Sequence, residues 1–188
     1  MAKTLYIIAG CNGAGKTTAA YTILPEVWNC KEFVNADEIA RGLSPLNVES
    51  VAIQAGRLML ERIEALLNED VSFAIETTLA TRSYVKLVER AQAKGYDVNL
   101  LFFWLNSPEV AIRRVAQRVK EGGHNIPADV IIRRYWAGIH NFFELYKDKV
   151  NAWMLIDNRD NQRNVVATHR QIINKETYQE FILSYGKR

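Results

Sequence analysis

Gly10-Cys11-Asn12-Gly13-Ala14-Gly15-Lys16-Thr17 satisfies the pattern G-x-x-x-x-G-K-[ST] at each fixed position, and its flanks give the pattern meaning. Upstream, Thr4–Ala9 is a run of strand formers that reads as a buried strand. Downstream, a helix is expected from about Lys16. Glycines at 10, 13 and 15 let the backbone curl so that successive N–H groups point inward at phosphate oxygens, and the helix start adds its positive dipole end. Gly10, Asn12, Gly13, Ala14, Gly15, Lys16, Thr17 and Thr18 are therefore the expected nucleotide cradle. Lys16 is placed to bridge the β- and γ-phosphates of ATP. Thr17 offers a hydroxyl to Mg²⁺, a hard ion that keeps several waters and takes few protein ligands. The alternative is a glycine-rich turn that binds nothing.

Further strands are expected at Glu32–Asn35, Ser72–Ile75, Val98–Leu105 and Ala152–Ile156, and Val98–Leu105 is the longest apolar run and so buried on both faces. Helical periodicity separates them. Val48–Leu67 repeats apolar residues at about the helical period with Asn47 as its N-cap, and Ser83–Lys94 is helical up to Gly95. Ser107-Pro108-Glu109 supplies an N-cap, a first-turn proline and a dipole-favoured carboxylate. The pattern breaks at Gly122-Gly123 and resumes after Pro127, and from Gln162 onward it reads as short helical pieces. Strand–helix alternation predicts an α/β P-loop NTPase fold: an approximately five-stranded parallel sheet with helices on both faces and a helical lid. No linker or repeat divides the sequence, so residues 1–188 are expected to form a single domain with a lid over about 114–134.

The composition is that of a globular protein, 48% hydrophobic and 24% charged, and the formal charge of +3 carries no message about nucleic acid. The apolar run Leu5–Ala9 is too short for a secretory leader, and no stretch suits a membrane span, which points to the cytoplasm. Cys11 and Cys30 make no disulfide framework, and three scattered histidines have no metal-ligand spacing.

In open α/β sheets, ligands sit beyond the carboxyl ends of the strands. After the second strand, Asp37 could accept the proton of an attacking hydroxyl, or cap a helix. After the third, Glu76-Thr77-Thr78 brings an acceptor and two hydroxyls. Glu76 could bind substrate hydroxyls, hold a metal-bound water, or form a capping box. Arg114 and Arg118 share a helix face, and Arg133-Arg134 follow the glycine break, so that arginines flank Gly122-Gly123-His124 as a lid over ATP would require. His124 is either an acid–base group or, like most single loop histidines, a hydrogen-bonding or packing residue. Tyr135, Trp136, Phe142, Phe143 and Tyr146 lie at helical spacing and are read as core.

Taken together, the phosphate loop, Asn35-Ala36-Asp37, Glu76-Thr77-Thr78 and the arginine-flanked lid resemble the zeta-toxin family of P-loop kinases over about Leu5 to Asp157. The resemblance implies that Asp37 is the general base and that Glu76 with Thr78 binds the acceptor. It also implies that Arg118 with Arg133 or Arg134 stabilises the transferred phosphoryl group, and that the acceptor is a sugar hydroxyl of a UDP-N-acetylglucosamine-like nucleotide. Arg82, nearby, would then pair with an acidic group such as a diphosphate. Glu38–Pro45 departs from the family's D-x-F-R-x-x-H-P in spacing and has Ser44 before the proline. The chain is shorter than the toxins, so an antitoxin partner is not implied. Two other readings stand beside this one: a kinase for another metabolite such as a nucleoside or sugar, and a nucleotide-binding regulator with slow ATP hydrolysis. A nucleic-acid 5′-hydroxyl kinase would need a basic groove at Asp37, and Glu32 and Glu38 oppose one.

Overall fold

A computed structural model describes residues 3–186. β1 (Thr4–Gly10) lies inside a six-stranded sheet of order β2-β3-β1-β4-β5-β6, with β2 at Glu32–Val34, β3 at Phe73–Thr77, β4 at Asp97–Trp104, β5 at Ala152–Asp157 and β6 at Asn164–Thr168. The first five strands are parallel, in registers such as Leu5↔Phe73 and Ile8↔Leu101. β4 is buried along Leu100–Trp104, as expected of a strand covered on both faces.

Among the described residues seven α-helices accompany the sheet: α1 (Lys16–Val27), α2 (Ala36–Leu43), α3 (Ala52–Glu69), α4 (Tyr84–Ala93), α5 (Pro108–Lys120), α6 (Ala128–Asn141) and α7 (Lys175–Tyr185). Ser107 caps α5 as its sequence requires, its hydroxyl accepting from Val110 N at 3.4 Å. α6 runs on into a π-helical turn at Phe142–Tyr146 that seats Phe142 and Tyr146 fully in the core. There Phe142 meets Phe102 of β4 and Phe181 of α7 at ring separations of 5.1 and 5.4 Å. The aromatic stretch is core packing, as its spacing predicts.

Three expectations need correction. The sheet has six strands, because Asn164–Thr168 pairs antiparallel with β5 where helical pieces were expected, and α7 follows as one helix. A register shift at Leu155/Ile156 leaves Val165 exposed and both Val166 and Ala167 buried, which erases the period-two signal of a strand. The segment from Val48 opens as a 3₁₀ turn (Val48–Val51), and the Asn47 side chain caps nothing. Before it, the unanticipated α2 begins directly at the end of β2, capped by Asn35.

β1 leads to β2 on one side, and β3 crosses over β1 to β4 on the other, so the carboxyl edge at β1 is a topological switch point. Five of the seven buried polar residues among those described gather at strand ends on this edge: Asn12, Lys16, Asn35, Asp157 and Asn158. No helix among the described residues is long and apolar enough to cross a membrane.

Candidate active site

The phosphate loop follows β1 and is held from both sides. Gly15 has φ 81, and a Cβ there would lie 2.5 Å from Asn158 Nδ2, the amide that donates to Ala14 O at 2.8 Å. Only glycine combines that backbone angle with that contact. Arg114 Nη2 donates to Asn158 O (2.7 Å) and Arg159 O (2.8 Å), and Nη1 to Gly13 O (3.4 Å). Arg114 thus fastens the loop to the segment after β5. Cys11, the second residue of the loop, is buried. Desolvation pushes its thiol up to about 11 although the Lys16 cation opposes the shift, so at neutral pH it is an inert thiol.

Glu76, at the end of β3, is the hub. Its Oε2 accepts from Thr17 Oγ1 at 2.7 Å and from Asn35 Nδ2 at 2.9 Å, while its Oε1 lies 3.5 Å from Lys16 Nζ. Lys16 Nζ also donates to Cys11 O at 3.0 Å. Glu76 forms no capping box, since α4 begins only at Tyr84 and Ser83 makes no side-chain cap. Asn35 joins two parts of the site, because its Oδ1 accepts from Asp37 N at 2.8 Å while its Nδ2 holds Glu76. Asn35, and not Asp37, therefore caps α2, and the Asp37 carboxylate is left free of that duty.

Two cavities meet here. One, of about 340 Å³, is lined by Asn12, Gly13, Gly15, Lys16, Thr17 and Thr18 with Arg114, Arg118, Glu121 and Asn161. The other, of about 490 Å³, is lined by Ala36, the α3 face carrying Ile53, Gly56, Arg57, Met59 and Leu60, the segment Thr77, Thr78, Thr81, Ser83 and Tyr84, and Arg134. Asn12, Lys16, Asp37 and Glu76 line both.

The second cavity owes its floor to a tight turn. Leu79 has φ 58 and is fully buried, an uncommon backbone for an apolar residue. Thr77 Oγ1 accepts from Leu79 N at 3.0 Å and Asn141 Nδ2 donates to Leu79 O at 2.8 Å. A Cβ at Gly138 would stand 2.7 Å from Thr78 O, so α6 approaches the turn as closely as a glycine permits.

Of the arginines, Arg118 lines the loop-side cavity, with its Nε buried and unpartnered and its Nη2 donating to His124 O at 3.3 Å. Arg134 lines the other cavity and donates to Asn12 Oδ1 at 3.2 Å. Burial lowers its guanidinium from the ordinary value, the Asp37 charge opposing and Arg133 adding to the fall. The two thus approach the shared residues from opposite sides. Arg133 does not join them, since consecutive helical residues point about 100° apart and it stands exposed, lining neither cavity. Arg82 is also not brought to Glu76 and Thr78. Past the Leu79 turn, Ala80 and Arg82 line a separate cavity with Trp136 and His140, while Thr81, Ser83 and Tyr84 line the second cavity.

Asn35 and Asn158 are the site residues whose roles the sequence reading missed. Both are buried polar residues just past the carboxyl end of a strand, which is the signal that could have found them.

Similar proteins agree with this architecture. An uncharacterized protein of Haemophilus influenzae is 30% identical over 126 residues, 67% of this chain and 88% of its own. A chain of the AvrRxo1-ORF1:AvrRxo1-ORF2 complex crystallised with sulphate ions superposes with a TM-score of 0.77 at 18% identity. That match covers 95% of this chain, and this chain spans 63% of that one. The PezAT toxin–antitoxin system of Streptococcus pneumoniae contributes a chain with a TM-score of 0.68 at 18% identity, covering 100% of this chain and 88% of its own. A kinase-like fold from Chloroflexus aurantiacus, described as a putative kinase, follows at 0.61 and 14% identity, covering 95% and 93%. The family model for Zeta toxin matches residues 1–171, nearly the whole chain, so the chain belongs to the Zeta toxin family.

Proposed function

We propose that this protein acts in the cytoplasm as an ATP- and Mg²⁺-dependent kinase that transfers the γ-phosphoryl group to a hydroxyl of a small molecule of the UDP-N-acetylglucosamine type. The observation that carries the reading is the pair of adjoining cavities whose shared wall is Asn12, Lys16, Asp37 and Glu76. A phosphoryl group passing from one bound molecule to another would cross at that wall. A regulator that only hydrolyses ATP has no use for the second cavity.

The donor set at the loop side fits Mg²⁺, a hydroxyl and a carboxylate 2.7 Å apart beside a lysine. When bound, the ion would neutralise charge on the β- and γ-phosphates and be held by Thr17, with Glu76 on its water shell. Glu76 therefore belongs to the metal end in this reading, and acceptor binding falls to Thr78 and its neighbours. Asp37 takes the proton of the acceptor hydroxyl. The hydroxyl oxygen bonds to the γ-phosphorus as the bond to the bridging oxygen breaks, and ADP leaves. Lys16, Arg118 and Arg134 offset charge on the transferred group. The buried, unpartnered Nε of Arg118 is the group with most to gain from a phosphate.

As to partners, the PezAT likeness makes an antitoxin chain plausible beside the small-molecule acceptor. The test of the function is incubation with ATP, Mg²⁺ and a panel of sugar nucleotides, nucleosides and sugars, read by the mass of the products. A phosphorylated UDP-N-acetylglucosamine is the expected result. Phosphorylation of a nucleoside or plain sugar alone would move the assignment to another metabolite kinase, and ATP hydrolysis without any phosphorylated acceptor would overturn the kinase reading.

A further inference from the structure

α3 presents two faces. Ala55, Met59, Ile63 and Leu66 are buried in the core, and they fix the helix against the sheet. Ile53, Gly56, Arg57 and Leu60, at spacings of three, one and three, form the stripe that turns toward the acceptor-side cavity. Three features of that stripe do not serve the fold.

The first is Gly56. Glycine inside a helix destabilises it relative to alanine, and a structure accepts the loss where a Cβ would collide. Here a Cβ would meet nothing within 4 Å. The position has room for a side chain and lacks one, while facing a cavity. The second is Arg57, whose guanidinium is exposed on the same turn and enters none of the hydrogen bonds or ion pairs found among the described residues. On the same helix Arg62 is paired with Glu32, and on the next Arg90 with Glu64. The third is that Ile53 and Leu60 remain 77% and 55% exposed at the cavity mouth.

We infer that the Gly56–Arg57 turn of α3 is the subsite for the distal, anionic half of the acceptor. The acceptor lies with its backbone-contacting part against bare Gly56, between Ile53 and Leu60, and presents a phosphate or carboxylate to Arg57. The charge pattern of the cavity supports this polarity. At its reacting end the carboxylates of Glu76 and Asp37 are offset by Lys16 and Arg134, which leaves Arg57 as the cation without a carboxylate partner, so an acceptor with a neutral hydroxyl at one end and an acid at the other is the one it orients. This assigns to Arg57 the anion contact that the sequence suggested for Arg82. The inference rests on the acceptor-cavity reading above, but its test needs no turnover.

The experiment is calorimetric titration of pyrophosphate, and separately of malonate, into protein saturated with a non-hydrolysable ATP analogue and Mg²⁺, so that the phosphate loop is filled. Arg57→Gln should weaken the bound anion by about tenfold, with Arg57→Lys restoring much of the loss. Preference for pyrophosphate marks a phosphorylated acceptor and preference for malonate a carboxylate. Gly56→Leu should block UDP-N-acetylglucosamine, weakening it by about tenfold or more. Gly56→Ala separates this from misfolding: it should raise Tm by about 1–4 °C while weakening UDP-N-acetylglucosamine. Gly42→Ala is the control, since a Cβ at that helical position also meets nothing and it lines none of the cavities described here. It should raise Tm and leave binding unchanged. Failure of the wild type to bind the ATP analogue would overturn the kinase reading. Analogue binding with no saturable pyrophosphate or malonate site, or with affinities unchanged in Arg57→Gln and Gly56→Ala, would overturn the subsite alone.

Discussion

The two cavities are built by opposite means. The loop-side cavity is made largely of one contiguous stretch, Asn12–Thr18, in which Asn12 and Lys16 are buried and most polar groups are already tied: Lys16 to Glu76 and Cys11 O, Thr17 to Glu76, the loop carbonyls to Asn158 and Arg114. The second cavity, the proposed acceptor side, draws on α2, α3, the segment after β3 and α6, and its wall includes side chains that make no hydrogen bond among the described residues, Asp37 and Arg57 among them. A site for a universal phosphate donor is preorganised by its own backbone. A site for a particular acceptor is assembled from residues whose partners are on the ligand.

The sharpest separation of the two is Lys16→Ala, expected to lower turnover by about 10³-fold through loss of charge stabilisation at the transferred group. Calorimetry should show weakened ATP with an intact fold, and near-normal turnover would break the assignment of the loop side. Next in size is Asp37→Asn, on the shared wall, expected to lower the rate by about 10²-fold with ATP affinity preserved. If stability falls and rate does not, Asp37 serves α2 and not the reaction.

Glu76→Gln and Thr78→Val place the boundary between the cavities. Glu76→Gln is expected to weaken Mg²⁺-dependent ATP binding by about tenfold, and Thr78→Val to raise the acceptor KM by a similar factor without touching ATP. The reverse outcome would return Glu76 to the acceptor side. The lid arginines give a smaller and graded contrast: Arg118→Ala and Arg134→Ala should each slow turnover, while Arg133→Ala should stay within about twofold, as a surface charge does. A slow Arg133→Ala would mean that α6 rotates on closure.

The smallest effect concerns stability. Cys11 is raised to about 11 from an ordinary value of 9.0, chiefly by desolvation. A folded-state value above the unfolded one contributes stability that is whole below pH 9 and is lost as pH rises toward 11. Thermal melts of Cys11→Ala should therefore fall less steeply than wild type between pH 9 and 10. Parallel curves would show that the loop side opens before the thiol ionises.

The parallel strands and the helix after the loop were legible because each is a long segment with one dominant period. β6 was not, since its pairing slips at Leu155/Ile156 and blurs the alternation. Asp37, Glu76 and Thr78 were legible as polar residues following strands, a rule that needs only order along the chain. Which side of a turn each later residue takes is not a property of order. Arg82 and Thr81 are neighbours, yet the left-handed Leu79, pinned by Asn141 and approached by Gly138, leads them to different cavities.

What the sequence determined by itself was the phosphate loop, because its function resides in backbone N–H groups whose direction is set by local glycines and the following helix. What only the tertiary structure decided was the acceptor side. Gly56 and Arg57 look like ordinary helical residues until α3 is docked through Met59 and Ile63, and only then does a bare backbone and an unpaired cation face Asp37 across a cavity.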